Sequence, residues 1–330
     1  MTPDFRISGL SAAANDRVLS LTVNDNAGIE GDNCSIVLDD RDYKLEWPPK
    51  GHRIQVYMGY KETGLELMGM YEIDQVRHKE SQAANMEIAA NAQYHLNSNI
   101  KNPITQPWDE MTLGAIVSAL AGRNGYAATV HPALAGLFYD HLDQTEESDA
   151  HLLTRLADFH NAYAKYQDGK LLFYPRGETL GAVTVERNTQ KQWTPLGFIT
   201  VESSISATIN TRNEYNSVKA EWHDTHSNER RVEIIGSGEP QHEIRHTHES
   251  KERAMQAASA KLDALNRGTG KIDSLVIPGD ARVRAEMDLI VTGFRPEITS
   301  LKWIVESATH SLSSGGYKTT IKAQQDAKGL

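Results

Sequence analysis

Cysteine is nearly absent from this sequence, and so are the long apolar runs that mark membrane spans. Cys34 is the only cysteine among 330 residues, which excludes an intrachain disulfide and a four-cysteine zinc site. No stretch approaches the roughly 18 apolar residues needed to cross a bilayer. The N-terminus has no basic start followed by an apolar run, so no secretory signal is expected. These absences fit assembly in a reducing cytoplasm and predict that the chain does not insert into a membrane.

Positive charge is scarce in the first half of the chain. The net charge is −10, and residues 1–100 and 101–175 contribute −6 and −4 to it, whereas residues 176–330 are neutral. A protein that grips a nucleic acid needs a basic surface to displace phosphate counterions. The sequence therefore predicts no stable nucleic-acid binding, above all in the first half.

Common enzyme signatures are missing too. The sequence contains no GxSxG nucleophile elbow, no phosphate-binding GxxxxGK[ST] and no GxGxxG, and the HExxH signature of metalloproteases is expected to be absent too. Cys34 lies in a strand-like alternation and is interpreted as a packed apolar residue. We predict that the chain is not an enzyme. No residue is assigned to catalysis, to a cofactor or to a metal.

Short strands dominate the first hundred residues. Residues 18–23 are rich in β-branched side chains, and apolar residues alternate around Ile36, Val56 and Ile88. Pro48 and Pro49 break the pattern, since proline cannot supply the N–H of a sheet ladder. Several short strands at this spacing predict a sandwich or a barrel.

The pattern changes near residue 101. Pro103 and Pro107 indicate a loop, and Asp109 or Thr112 is the candidate cap of a helix through Leu120. A second helix is expected to begin at Ser148, followed by a hairpin that turns at 168–169. Together these elements predict a compact α/β segment.

From residue 176 onward strands return around one helix. The alanine-rich stripe at about 249–267 predicts that helix, with acidic residues at its start. The chain then ends in a long hairpin that turns at 313–316. The order β-rich, α/β, β-rich is the organisation that the residues alone predict.

Two polar clusters are candidate sites. His242, His246 and His248 could share a metal on one strand face, but a solvated strand leading into the helix is the simpler interpretation. The acids Asp143, Glu146, Glu147 and Asp149 could suggest a glycosidase, although a dense acidic run more often marks a solvated loop and a helix N-terminus. Four tryptophans are scattered and are interpreted as core or interface anchors: Trp108, Trp193, Trp222 and Trp303.

Specific strings then point to a family. In order along the chain they are WDEMTLGAI at 108–116, PALAG at 132–136, DQTEESD at 143–149, LTRLA at 153–157, GFRPEI at 293–298, WIV at 303–305, THSL at 309–312 and GGYKTT at 315–320. Their order and spacing resemble the late control protein D family, the central baseplate hub of contractile phage tails, which is related to the hub portion of type VI secretion spikes. The likeness covers about residues 19–323.

The resemblance implies a fold and a role. Members have a mainly β fold in which two tail-tube-like β-barrel domains flank a small α/β domain, here 1–100, 101–175 and 176–330. Three copies would close into a ring with pseudo-sixfold symmetry that joins a sixfold tail tube to a trimeric central spike. The implied partners are the other two copies, the spike, the tube, the wedge proteins and the tape-measure protein. The implied location is the baseplate of a virion tail or tailocin assembled in the bacterial cytoplasm.

Two further expectations follow from the ring. Its inner wall is expected to be acidic, with Asp39, Asp40 and Asp42 contributing, so that passing molecules do not adhere. We also expect no fused lysozyme, peptidase or spike module, so that wall-degrading activity would belong to a partner. The alternatives left open are a cell-wall hydrolase, which would use the acidic or histidine cluster, and a carbohydrate-binding β-protein that recognises a host surface.

Overall fold

The structure is a computed structural model, and it describes residues 1–29, 31–80, 84–92, 98–167, 169–176, 181–210, 215–224, 227–267 and 270–326. Strands account for 58% of it and helices for 18%. The predicted class, mainly β with an α/β insert, is therefore confirmed. Within the described residues, no helix combines the length and the apolar character required to cross a membrane.

The first β-rich region is a six-stranded antiparallel stretch of sheet in the order β1-β4-β5-β6-β3-β2. Its elements are β1 (Pro3–Ser8), α1 (Ala12–Asn15), β2 (Val18–Asn26), β3 (Asn33–Asp39), β4 (Arg53–Tyr60), β5 (Gly64–Glu80) and β6 (Ala84–Ala92). Apolar side chains alternate into one core, as on β3, where Cys34, Ile36 and Leu38 are buried. The strands predicted around Ile36, Val56 and Ile88 are present.

The middle region combines two small sheets with two packed helices. Its elements are a 3₁₀ turn (Ser98–Lys101), β7 (Pro103–Thr112), α2 (Leu113–Arg123), β8 (Ala127–Val130), α3 (Pro132–Ala135), β9 (Phe138–Ser148), α4 (Asp149–Phe159), β10 (Ala162–Gln167) and β11 (Lys170–Pro175). Thr112 and Ser148 cap α2 and α4 as predicted, each accepting a backbone N–H bond at 3.2 Å. Strands β10, β11 and β8 form one sheet, so the predicted hairpin is confirmed, although residue 168 of its turn lies outside the described residues.

Two expectations for this region are wrong. Pro103 and Pro107 lie in strand β7, not in a loop, and residues 143–148 lie in strand β9, with which β7 pairs antiparallel. The pair forms an isolated two-stranded ribbon. In such a ribbon each strand has one edge without a ladder partner, and a proline that faces that edge removes no hydrogen bond from the sheet.

The last region returns to strands. Its elements are β12 (Ala182–Glu186), β13 (Thr189–Thr194), β14 (Gly197–Glu202), β15 (Ser204–Ile209), β16 (Ser217–Asp224), β17 (Glu229–Gly236), β18 (Gln241–His248), α5 (Lys251–Arg267), β19 (Gly270–Pro278), β20 (Asp288–Thr292), α6 (Pro296–Thr299), β21 (Trp303–Ser313) and β22 (Gly316–Gln325). The long terminal hairpin β21–β22 matches the prediction.

Helix α5 is present where the alanine stripe predicts it, but it does not cover the large sheet. It packs on a separate three-stranded sheet of order β17-β16-β18, with its own small core of Val218, Ala220, Ala254 and Ala258. The region after residue 176 therefore holds two hydrophobic cores. The sequence pattern could not separate them, because both are built from strands of similar length.

Three larger cores follow the order of the chain. One is formed by β1 to β6 with Ala281 and Tyr317 added from the end of the chain, one by residues of the middle region, and one by β12 and β19 to β22. These cores are compatible with domain boundaries near 100 and 175, and the three-domain division stays a prediction.

Candidate functional site

The two β-rich regions are joined by a continuous seam of sheet. Strand β2 pairs antiparallel with β21 over residues from Ser20, opposite Ser313, to Asn26, opposite Ser307. The seam extends the first region's sheet into the order β2-β21-β22-β19-β15. Backbone hydrogen bonds along a shared ladder resist rotation between the regions, so their mutual angle is set by sheet twist.

Beside the seam lies a buried ionic cluster, which we call the ionic junction: Asp25, Asp32, Lys165 and Arg284. Lys165, on β10 of the middle region, forms an ion pair with Asp25 at the end of β2, and its Nζ donates to the Asn26 carbonyl at 3.0 Å. Asp32 Oδ1 lies 3.9 Å from the same Nζ. Arg284 Nε, from the last region, lies 3.8 Å from Asp25 Oδ2. The junction therefore connects all three regions.

Burial makes the charges of the junction interdependent. The Lys165 side chain is 4% exposed. Burial alone disfavours its charge, but the attraction of Asp25 and Asp32 outweighs that effect and raises the pKa of Lys165. Burial and the negative charge of Asp25 together raise the pKa of Asp32 to about 7. Removing the lysine would leave two carboxylates in a poorly solvated site, so this side chain has a structural role.

A second set of polar side chains links the hairpin β13–β14 by hydrogen bonds to both β-rich regions. Gln192 accepts from the Tyr317 N–H at 2.7 Å and donates to the Tyr317 carbonyl at 2.8 Å, as a neighbouring strand would. Tyr60, from β4, donates to the Gly279 carbonyl at 2.9 Å and to Gln190 at 3.0 Å. An open cleft of about 530 Å³ runs alongside, lined by residues of both regions. The hairpin is thereby held where the two regions meet.

The acidic cluster on β9 and α4 is held by structural contacts. Glu147 forms an ion pair with Arg155 at 2.7 Å and a hydrogen bond with the His151 ring at 2.6 Å. Although burial opposes it, these partners lower the pKa of Glu147. Asp149 is buried and accepts from Arg123, at 3.0 Å, as well as from Asn124 and Gln144. A general acid for glycoside hydrolysis needs a raised pKa, and Glu147 shows the opposite.

The histidine cluster lies on strand β18, as the simpler interpretation predicted. The string His242-Glu243-Ile244-Arg245-His246 does match the HExxH pattern of zinc proteases, so the expectation that no such signature exists is wrong. That motif binds zinc through two histidines one helical turn apart, whereas here the segment is a strand with an irregular register. The ring of His242 packs on Tyr215, and that of His246 packs on His248. Among the described residues, no three potential ligands come together around a metal position.

Other residues singled out from the sequence also find structural roles. Cys34 is 1% exposed, and burial raises the pKa of its thiol. Trp108 and Trp303 are buried in cores, whereas Trp193 is half exposed.

The acidic patch predicted for an inner wall carries less charge than its sequence suggests. Asp42 is bound by Arg17, and Asp39 is bound by Arg41 at 2.6 Å. Asp40 is only 3% exposed and accepts from the Leu45 N–H at 3.2 Å. With two arginines paired to three acids, this patch alone cannot make a strongly negative wall.

The sequence pattern does not predict the ionic junction, nor the bonding of Gln190 and Gln192 on the hairpin β13–β14. The sequence carries a weak signal for Lys165. This lysine lies within the short strand Ala162–Gln167, and the residues on either side of it are alanine and tyrosine. A lysine between buried residues on both strand faces must find a buried partner. No comparable signal marks Asp25, which follows an ordinary amphipathic strand.

Comparisons with known proteins place these features in context. No family model matches the sequence. A protein of Escherichia phage P2 named "Probable baseplate hub protein" is 28% identical over 98% of this chain and 93% of its own length. A protein of the same name from Escherichia phage 186 is 28% identical over 94% of this chain and 88% of its own length.

Solved structures agree in fold. The tail protein from Neisseria meningitidis MC58 superimposes with a TM-score of 0.70 at 11% identity, covering 99% of this chain and 97% of that one. The E. coli c3393 protein, described as a component of the type VI secretion system similar to T4 tail proteins gp27 and gp5, gives a TM-score of 0.61 at 12% identity. It covers 99% of this chain and 78% of that one. The family resemblance carried by the sequence strings is confirmed.

Proposed function

We propose that this protein, a structural baseplate hub similar over nearly its whole length to those of phages P2 and 186, works as a symmetry adaptor. Three copies close into a ring in which the two β-rich regions of each chain present six near-equivalent units. Such a ring stacks on a sixfold tail tube on one side and seats a trimeric spike on the other. The tail would be that of a contractile phage or a tailocin.

The seam between β2 and β21 is the observation that carries this proposal. A chain that contributes two units to a pseudo-sixfold ring must hold them at a constant angle, since an error of a few degrees per unit prevents closure. A shared sheet supplies that constancy through backbone bonds, and the ionic junction adds the middle region to the same body. No step in this role requires a catalytic residue.

The partners and the place of assembly belong to the proposal as well. We expect the ring to bind the spike, the tube, the wedge proteins and the tape-measure protein, and to assemble in the cytoplasm of the bacterial host. Stable nucleic-acid binding is not expected, because the chain has a net charge of −10. Insertion into a membrane is not expected either, because no stretch of the sequence approaches the roughly 18 apolar residues that a span needs.

The test is the native mass of the purified protein, alone and mixed with its spike. The expected particle has three times the 36.6 kDa chain mass, and it forms a larger complex when spike is added. Electron microscopy of that complex should show six similar lobes around the axis. A particle that stays monomeric in both conditions, or one with three lobes only, contradicts the adaptor role.

The hydrolase alternative predicts a different result. If the acids of β9 were catalytic, the purified chain would clear a peptidoglycan gel, and Glu147→Gln would abolish the clearing. We expect no clearing from either form, because Glu147 is engaged by Arg155 and His151 and its pKa is lowered. A clearing zone that disappears in the variant would establish an enzyme.

A further inference from the structure

A cleft of about 770 Å³ lies where the end of β11 meets helix α5 and strands β18 and β19. Among the residues that the structure describes, five cations line this cleft, which we call the basic cleft: Arg176, Arg245, Lys261, Arg267 and Lys271. Two acids line it as well, Asp158 and Glu243. The basic cleft therefore holds an excess of three positive charges in a chain whose net charge is −10.

The acids of the basic cleft are already engaged, whereas most of its cations are not. Glu243 pairs with Lys219 at 2.8 Å, and Asp158 Oδ1 lies 3.8 Å from Arg176 Nη2. Within the part of the chain that the structure describes, no carboxylate forms an ion pair with the other four cations of the cleft. Like charges gathered in one place repel one another, so an anion that entered the cleft would relieve that repulsion.

One of these four cations is buried. Arg267, at the end of α5, is 6% exposed, and its Nε donates to the Asp263 carbonyl at 3.3 Å. Burial, and then repulsion by Arg176, lower the pKa of Arg267 to about 10, although the negative charges of Asp263, Asp326 and Glu286 oppose that effect. A guanidinium has five N–H donors, and an anion in the cleft would supply acceptors for them.

The positive field also reaches His242, on β18. Burial lowers the pKa of His242, and the charges of Lys261 and Arg245 lower it further. Lys261 belongs to α5 and Arg245 to β18, so cations on two different elements act at one point of the cleft. A negative charge placed there would be stabilised by the same field that disfavours a positive one.

The side of the cleft that α5 forms carries small side chains. Ala257, Ala260 and Ala264 line it at intervals of three and four positions, and they therefore lie on one face of the helix. From the first of these alanines to the last, the helix rises about 10 Å, which is the length of about three extended residues. Their small volume leaves room for a peptide main chain along the helix.

We propose that the basic cleft binds an extended acidic segment of a partner protein. The cations belong to several elements of the fold, so they match carboxylates spaced along a peptide. A compact phosphate is typically held at a helix N-terminus, whereas the end of α5 that reaches the cleft is its C-terminus, at Arg267. A nucleic acid carries one charge per about 1.7 Å, and the rest of this negatively charged chain would repel it.

The experiment measures binding of a fluorescein-labelled peptide of alternating glutamate and glycine by fluorescence anisotropy. A peptide with glutamine in place of glutamate tests the need for charge, and inorganic phosphate and an oligothymidylate are added as competitors. The cleft variant is Lys261→Glu with Lys271→Glu, since both lysines are exposed. The matched control, Lys61→Glu with Lys191→Glu, makes the same change of net charge at exposed lysines outside the cleft.

We expect the wild-type chain to bind the glutamate peptide and not the glutamine peptide, with an affinity that falls as salt screens the charges. In the cleft variant the dissociation constant should rise at least about tenfold, because each reversed charge replaces an attraction with a repulsion. The control should stay within about twofold of the wild type. Circular dichroism verifies that both variants are folded.

The contrary results are equally specific. Equal binding of the two peptides, or binding of neither, shows that the cleft does not select carboxylates and overturns the proposal. Unchanged binding in the cleft variant places the site elsewhere and overturns it too. Displacement of the glutamate peptide by phosphate or oligothymidylate at a lower concentration than unlabelled peptide requires would make the cleft a phosphate site, which also contradicts the proposal.

The basic cleft does not depend on the proposed ring, because all the residues that line it belong to one chain. A monomer that binds the glutamate peptide through the cleft supports this proposal even if no ring forms. A trimer that does not bind the peptide overturns the cleft and leaves the ring standing.

Discussion

The substitution Lys165→Met tests whether the ionic junction holds the three regions together. Methionine is close to lysine in length, so the change removes the charge with little change in volume. Asp25 and Asp32 would then share a site in which, among the residues that the structure describes, Arg284, 3.8 Å from Asp25, is the remaining paired cation. Breaking a buried ion pair by removing one partner costs about 3–5 kcal/mol.

The cost should depend on pH in a way that identifies its origin. The pKa of Asp32 is already raised to about 7, and losing the lysine raises it further. At pH 5.5 Asp32 is protonated in both forms, so the penalty is the cost of leaving Asp25 without Lys165. At pH 8 Asp32 is largely ionised in the wild type, where Lys165 stabilises its charge, so the penalty of the variant grows by up to about 1.4 kcal/mol. The double variant Lys165→Met with Asp25→Leu should recover much of the loss at pH 8, because both members of the pair are gone.

The assay is urea unfolding at pH 8 and pH 5.5, followed by circular dichroism. The matched control is Lys219→Met, which removes a partly exposed lysine paired with Glu243 at 2.8 Å and should not shift the unfolding midpoint. If Lys165→Met unfolds at the wild-type midpoint at pH 8, or if its loss is the same at both pH values, the junction is not what joins the regions.

Three further predictions concern single side chains. For Asp32→Asn, the gain in unfolding free energy over wild type should grow by about 2.7 kcal/mol from pH 5 to pH 8, because ionisation of an acid with a folded pKa of about 7 opposes folding as pH rises. Equal pH profiles would contradict this. Gly279→Ala should lower the melting temperature, since its Cβ would overlap the ring of Tyr317, whereas Gly122→Ala, which meets no atom, should stabilise α2 by up to about 1 kcal/mol. A melting temperature unchanged by the Gly279 substitution would show that the core can absorb the clash. Thr112→Ala should cost about 1 kcal/mol in urea unfolding through loss of the α2 cap, and an unchanged midpoint would show that the cap is dispensable.

Local signals predicted individual elements well. The caps Thr112 and Ser148 each accept the bond of a helix N-terminus, and helix α5 begins at Lys251, two residues after the predicted start. These features depend on side chains within a few residues of one another, so they can be predicted from the sequence. Strand β5 (Gly64–Glu80) was not predicted, because register shifts opposite β4 and β6 interrupt its alternation.

The strand β7 shows how a strong local rule can mislead. Two prolines in five residues predict a loop when the position of the strand in its sheet is unknown. In a two-stranded ribbon the proline nitrogen can face away from the paired strand, so the absence of its N–H removes no hydrogen bond from the ladder. Proline at such a position does not indicate a loop. Edge position is a tertiary property, which is why the acids of β9 were also assigned to a loop.

Neighbouring residues were enough to predict the class of fold, the order of the three regions and the family resemblance, because alternation, capping and motif spacing are local features of a sequence. The net negative charge of the sequence also argues against stable nucleic-acid binding. Only the tertiary structure decided that one sheet spans both β-rich regions, that Lys165 meets Asp25 across 140 positions of chain, and that Trp193 faces outward. The physical reason is that pairing, burial and exposure depend on which distant segments meet, and strand periodicity specifies a face without specifying what covers it.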